Sequence, residues 1–213
     1  MSCTCSASLV SGPVEFDEQV ALKAAIAAAE AASHVLLNRF RAADGRALKT
    51  WTKAPGALVT DADIQSDRAI ATVLRSSGAP GRIISEESRA EGEGEALTWL
   101  VDPLCGTTPF STGIGHWGIN IALRTGGELA VGALALPTLG ELLTSVRGRG
   151  VARKGQRYDA IVPAGRLADA GVAIEVDGGL EWDRLAQSRQ LEWVRSVGQV
   201  YSFASAAYPL GQL

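Results

Sequence analysis

Cysteine is scarce in this chain. There are three in 213 residues, and an odd, small number excludes a disulfide framework as the organising device. Such usage is the one expected of a reducing, cytoplasmic compartment. Cys3 and Cys5 form a C-x-C in a polar stretch. With no second Cys or His pair nearby, a structural zinc site is not expected there. Charge of one sign is missing too. The 20 Lys and Arg against 23 Asp and Glu leave a net charge of −3, and the basic residues are scattered. That gives no electrostatic case for nucleic acid. No uninterrupted apolar run reaches the roughly 18 residues of a bilayer span. Met1 to Pro13 lacks the basic start and apolar core of a secretory signal. Neither a membrane nor export is expected.

What remains is an Ala- and Gly-rich chain, 46% hydrophobic, long enough for one medium domain or two small ones. Its most informative stretch is Trp99-Leu100-Val101-Asp102-Pro103-Leu104-Cys105-Gly106-Thr107-Thr108-Pro109-Phe110. The apolar start reads as a buried strand that turns sharply at Asp102-Pro103. Gly106-Thr107-Thr108 reads as a helix start, whose free N–H groups favour an anion. A carboxylate at the strand end beside such a turn suggests a metal ion facing a phosphate.

Before this stretch, Val14 to Phe40 reads as a long helix with Leu22, Ile26, Ala29, Leu36, Leu37 and Phe40 inward. His34 within it reads as a surface residue, and Asp44-Gly45 as a turn. Leu48 to Lys53 reads as a strand, Ala54 to Ala57 as a loop, and Asp61 to Ser76 as a helix with Ile70, Val73 and Leu74 inward. Thr60-x-x-Asp63 is close to a capping box, which by itself gives Asp63 a structural role. After the Gly78 to Gly81 turn, Arg82 to Ser85 is a short strand leading into Glu86-Glu87. Two adjacent carboxylates ordinarily mean a solvated surface. Here they end an apolar strand about fifteen residues before Asp102 and could meet it across the sheet edge. Oxygen-rich clusters of this kind suit Mg²⁺. Arg89 to Glu95 reads as an exposed loop.

After it come a strand over Trp117 to Arg124, a Thr125 to Glu128 hairpin turn and a return strand from Leu129 to Leu136. Pro137 to Gly140 turns into a strand over Glu141 to Val146, and a further hairpin is punctuated by Gly148, Gly150 and Lys154-Gly155. His116 sits at a loop edge near the central stretch. Strands are expected over Val172 to Val176 and Val194 to Gly198, with helices over Gly179 to Glu192 and from Ser202 onward.

The central stretch resembles the Asp-Pro-x-Asp-Gly-Thr-x-x-Phe signature of the inositol monophosphatase family of Mg²⁺-dependent small-molecule phosphatases. Lys53, Val59-Thr60-x-x-Asp63 and Glu86-Glu87 stand, in order, where that family has matching motifs. Cys105 replaces the second Asp of the signature. Phe203-Ala204-Ser205-Ala206-Ala207 matches a Gly-Ser-Ala-Ala helix start in part. The family's later Trp-Asp pair has no counterpart before Leu213, because Trp182-Asp183 comes too early and reads as a surface helix element.

The resemblance implies an α+β fold, a layered α/β sandwich with an antiparallel sheet flanked by helices. A domain over residues 14–152 would carry the metal and phosphate site, and a truncated second part would cover 153–213. It implies a homodimer as well. The implied function is hydrolysis of a small sugar or cyclitol phosphate; the alternative is a non-catalytic relative that binds a phosphorylated ligand or a protein partner. Glu86, Asp102 and the Leu104 carbonyl would hold Mg²⁺. Asp63 and Thr107 would orient water. Gly106, Thr107, Thr108, Lys53 and Glu87 would meet the substrate. Cys105 would spoil or retune a second cation site, since a soft sulfur suits Mn²⁺ or Zn²⁺ better than Mg²⁺.

A thiol at a helix start is acidified, which raises Cys105 as a nucleophile. Cysteine phosphatases carry an Arg six positions beyond the Cys, whereas Ser111 stands there and no Arg follows before Arg124. The plain structural reading of Cys105 is a small, half-buried residue that keeps the shape of the turn.

Overall fold

The computed structural model describes residues 16–42, 47–53, 57–79, 81–88, 96–159, 165–175 and 189–212. The turn expected at Asp44-Gly45, the loop residues 54–56, the Arg89 to Glu95 loop, Cys3, Cys5 and Trp182-Asp183 lie outside them.

Helix α1 spans Glu18–Arg39 and begins later than periodicity suggests. Asp17 is its cap, its Oδ1 accepting from Gln19 N at 2.8 Å and Val20 N at 3.2 Å. The buried face is Ala21, Ala24, Ala25, Ala28, Ala29, Ala32 and Leu36. Leu22 and Ile26 are only half-buried, and Leu37, expected inside, is 45% exposed. The alanines win the inner face because short side chains let the helix lie close against β5, β6 and α2. The composition of α1 alone would suit a bilayer span, with a mean hydropathy of 1.5. Its packing against the sheet is that of a core helix.

Strands β1 (Thr50–Thr52) and β2 (Leu58–Thr60) pair antiparallel and lead into α2, Asp61–Ser76. Helix α2 buries Ile70 and Leu74 as its spacing predicts. Arg39 reaches Asp61 at 2.6 Å and ties the end of α1 to the start of α2.

The main sheet has seven strands in sequence order. They are β3 (Arg82–Ser85), β4 (Leu97–Cys105), β5 (Gly118–Thr125), β6 (Glu128–Leu136), β7 (Glu141–Val146), β8 (Gly150–Arg153) and β9 (Gln156–Tyr158). The sheet therefore continues past residue 152. It is mixed and not purely antiparallel, because β3 runs parallel to β4 with Ile83 beside Trp99 and Ser85 beside Val101. That one parallel pair brings two strand ends to the same edge. The β5–β6 turn is Gly126-Gly127, with φ of 57° and 85°, the doubly left-handed turn that glycine allows.

The core between α1, α2 and the sheet centres on Trp99, Trp117, Phe110, Ile70 and Ile121. Phe40, Phe110 and Trp117 form a ring cluster with centroids 5.1–5.4 Å apart. It pins helix α3, Thr107–Ser111, against the end of α1 and the start of β5.

Beyond the sheet, β10 (Gly171–Glu175) and β11 (Gln199–Phe203) pair in parallel. The strand expected over Val194 to Gly198 is instead a 3₁₀ stretch, Arg189–Ser196, followed by β11. Helix α4 is a single turn, Ala207–Leu210, where a helix from Ser202 was expected. The helix expected over Gly179 to Glu192 falls mostly outside the described residues, and its last positions belong to the 3₁₀ stretch.

Candidate active site

The site gathers at the ends of the parallel pair. Pro103 has no N–H to give the β4–β5 ladder. The register slips there: Asp102 faces Asn120, whereas Cys105 faces Gly118. The expected turn at Asp102-Pro103 is thus a bulge within β4, and the chain leaves the strand only at Gly106. Ser66 of α2 fastens the bulge by donating to the Pro103 carbonyl at 2.7 Å.

Glu86 follows β3 directly, and its N–H donates to the Val101 carbonyl at 3.1 Å. This places Glu86 beside Asp102, as the sequence suggested. The Glu86 residue is exposed. Asp102 Oδ2 accepts from Asn120 Nδ2 at 3.4 Å, while its Oδ1 is buried without a hydrogen-bond donor among the described residues. Burial pushes the Asp102 carboxyl above its usual range; the Cys105 thiol, the Asn120 amide and the Leu104 N–H oppose this, and the Asp63 charge adds to it.

Asp63 fulfils the capping box and reaches the site as well. Its Oδ2 accepts from Thr60 N at 2.9 Å and from the Thr60 hydroxyl at 2.5 Å. Its Oδ1 accepts from the Thr107 hydroxyl at 2.8 Å. The Thr107 oxygen is also 3.3 Å from the Leu104 carbonyl. Desolvation raises the Asp63 carboxyl, against the hydrogen bonds from Thr60 and Thr107.

Lys53 donates to the Glu86 carbonyl at 3.1 Å and pairs with Glu87 Oε2 at 2.5 Å. The Glu87 side chain is only 3% exposed. Burial raises its carboxyl, Lys53 draws it back, and the charges of Asp63 and Glu86 push it up again. Lys53 and Glu87, both expected to meet substrate, are therefore engaged with each other. The Asp63 charge thus acts on both Glu87 and Asp102, and the Glu86 charge acts on Glu87.

Cys105 is not acidified. Burial and the neighbouring Asp102 charge push its thiol up to about 11, so it stays protonated at neutral pH. The short α3 does not offset that. A thiolate nucleophile has no support in this arrangement. Gly106 has φ 100°, and a Cβ there would lie 2.8 Å from Ser205 Cβ and 3.0 Å from the His116 carbonyl, so glycine is required. Thr108 is exposed at the first turn of α3.

His116 does not turn toward the carboxylates. Its ring packs on Tyr208 and Phe203, at centroid distances of 4.4 and 5.5 Å. His34 is exposed and pairs with Asn38. Among the described residues no three His, Cys, Asp or Glu side chains converge as a ready metal cage. The oxygen set that fits a hard cation is Glu86, Asp102 with its donorless Oδ1, and the Leu104 carbonyl at the bulge. A cleft of about 620 Å³ runs over the sheet, walled mostly by apolar residues such as Ile84, Leu100, Ala122, Leu134 and Leu143, and Glu86, Asp102 and Asn120 also line it. Sequence reasoning passed over Asn120 and Ser66. Asn120 was visible as the polar residue between Ile119 and Ile121, on the strand face opposite theirs; Ser66 carried no such signal.

Comparison with known proteins agrees with this geometry. The sequence model of the inositol monophosphatase family matches residues 17–210. The Nus factor SuhB of Pasteurella multocida is 40% identical over 130 residues, which are 61% of this chain and 48% of that protein. The match thus spans about half the length of that curated relative. The crystal structure of extragenic suppressor protein suhB from Bartonella henselae superposes with a TM-score of 0.80 at 27% identity, covering 90% of this chain and 73% of that one. An IMPase/NADP phosphatase solved with Mg²⁺ and phosphate shares the fold, with a TM-score of 0.68 at 16% identity over 88% of this chain and 68% of its own. With the family's sequence matched from the start of α1 to the end of α4, the chain belongs to the inositol monophosphatase family.

Proposed function

We propose that this chain is a Mg²⁺-dependent phosphomonoesterase acting on a small sugar or cyclitol phosphate. The observation that carries the reading is the pair of buried acids at the strand ends: the Asp63 charge acts on Asp102, and a buried Asp102 oxygen has no hydrogen-bond partner among the described residues. Buried like charges without a cation are costly. Glu86, Asp102 and the Leu104 carbonyl would hold Mg²⁺, which supplies charge neutralisation and an activated water at phosphorus.

The chain's own groups prepare the rest. Asp63 accepts the Thr107 hydrogen, which leaves the Thr107 oxygen free to accept a hydrogen bond from water. A carboxyl raised by burial is suited to receive the proton that water gives up. Lys53 holds the Glu86-Glu87 turn through a carbonyl and a carboxylate at once. The N–H groups at Gly106, Thr107 and Thr108 are offered to phosphate oxygens. The parts of the chain divide best after Tyr158, where the main sheet ends, with the site wholly before that point except for Ser205 and Ala207.

A second reading is favoured by one observation, that curated relatives are named Nus factors. In it, the chain is a non-catalytic relative that binds a phosphorylated ligand or a protein partner.

Phosphate release from inositol, sugar and nucleotide monophosphates with Mg²⁺, beside a Glu86→Gln control, separates the two. Turnover that disappears in the control is the expected result. No turnover from a folded sample refutes the phosphatase reading and leaves the binding one.

A further inference from the structure

The sulfur of Cys105 already has partners within the protein. It accepts the Ala207 N–H at 3.3 Å. The Ser205 hydroxyl lies 3.5 Å from the sulfur and donates to the Cys105 carbonyl at 2.9 Å, while accepting the Tyr208 N–H at 3.3 Å. Ser205 is 1% exposed and Ala207 0%. The space is closed as well, since Ser205 fits against a Gly106 position that tolerates no Cβ. A cation at this sulfur would have to displace both the thiol hydrogen and the Ala207 contact. The resemblance to the family implies a second cation at this signature position, and these residues do not fit one.

We propose that the chain carries one divalent cation, at Glu86 and Asp102, and that Cys105 replaces the second as a fastener pinning segment 205–207 to the site. The cation part rests on the phosphatase reading above. The fastener part rests on the contacts alone. It explains why a soft residue is tolerated beside Asp102. The sulfur takes the Ala207 N–H and lies against the Ser205 hydroxyl, so the position serves the packing of this segment where the signature would place a further carboxylate.

The test uses the full chain in a Cys3→Ser/Cys5→Ser background, so that Cys105 is the remaining thiol. Mn²⁺ is titrated and the free ion counted by electron paramagnetic resonance. Co²⁺ is then added and its absorption recorded. One Mn²⁺ per chain and a Co²⁺ spectrum without a sulfur-to-metal charge-transfer band are expected. Cys105→Ala should leave the Mn²⁺ affinity within about threefold and speed native-state chymotryptic cleavage at Tyr201 and Phe203. Two Mn²⁺ per chain, a sulfur-to-cobalt band, or unchanged cleavage in the variant would overturn the inference while sparing the phosphatase reading. Absence of any Mn²⁺ binding would overturn both. If Cys105→Ala does not fold, the cobalt spectrum of the chain with its thiol intact decides.

Discussion

Asp63 stands in two roles that one pair of substitutions can separate. Both of its oxygens are occupied, Oδ2 by the Thr60 backbone and hydroxyl and Oδ1 by the Thr107 hydroxyl. Asp63→Asn replaces one acceptor oxygen with a donor, so either Thr60 or Thr107 loses its partner. An unsatisfied buried group costs about 1–3 kcal/mol, and the lost charge at the start of α2 adds about 0.3–1 kcal/mol. Thr60→Ala, which removes the cap but keeps the Thr107 contact, should cost about 1 kcal/mol. Stability therefore falls in both. Turnover per folded molecule should not behave alike. Loss of a proton acceptor lowers it by about 10²–10⁴ in Asp63→Asn, whereas Thr60→Ala should change it by less than about tenfold, or ~1.4 kcal/mol of barrier. Folded fraction by urea denaturation and phosphate release on the same samples give both quantities. An Asp63→Asn protein that keeps more than about a tenth of its turnover would reduce Asp63 to a helix cap and refute the proton-transfer argument.

Asp63, Glu87 and Asp102 all have raised carboxyls, through burial first. Each binds its proton more tightly folded than unfolded, so stability is full below the ordinary carboxylate range and is lost as pH climbs through the raised values. As pH climbs above the ordinary carboxylate range the cation-free chain should lose stability, Mg²⁺ should restore it at the upper end, and Asp102→Asn should flatten the profile; urea midpoints at stepped pH check this, and an equally steep Asp102→Asn profile would contradict it. Gly106→Ala should cost about 1–3 kcal/mol in backbone strain, with displacement of Ser205 adding to it, and a wild-type urea midpoint would show the steric argument wrong. Lys53→Met leaves the Glu87 carboxylate, 3% exposed, without its ion pair. It should destabilise by about 1–3 kcal/mol and raise KM for Mg²⁺, and a melting temperature equal to wild type would show that the pair holds nothing in place.

The parts of the site legible in the sequence were those carried by short-range chemistry. Thr60-x-x-Asp63 declared a helix start, Glu86-Glu87 ended an apolar strand, and Gly106 marked the exit from β4. Their convergence followed from the family resemblance and from one parallel strand pair that no local pattern specifies. The inner face of α1 was misread because large side chains were given precedence over alanines, whereas close packing on the sheet selects small ones. For Cys105 the general rule that a helix start lowers a thiol does not apply, because burial and the Asp102 charge outweigh a five-residue helix. The strand expected over Val194 to Gly198 rested on two valines within a charged, short stretch, where spacing separates helix from strand poorly.

The contact between Ser205 and Cys105 joins positions 100 residues apart. Its loop-closure cost is met only after the β4–β5–β6 meander and the helices over it are in place. The wall formed by residues 205–207 is thus among the last parts to assemble and the first to release in a partial opening. Helix content, dominated by α1 and α2, would register almost nothing of that release. Preparations of equal circular dichroism can therefore differ in the fraction of molecules whose site is closed, and specific activity should be normalised to that fraction and not to folded protein.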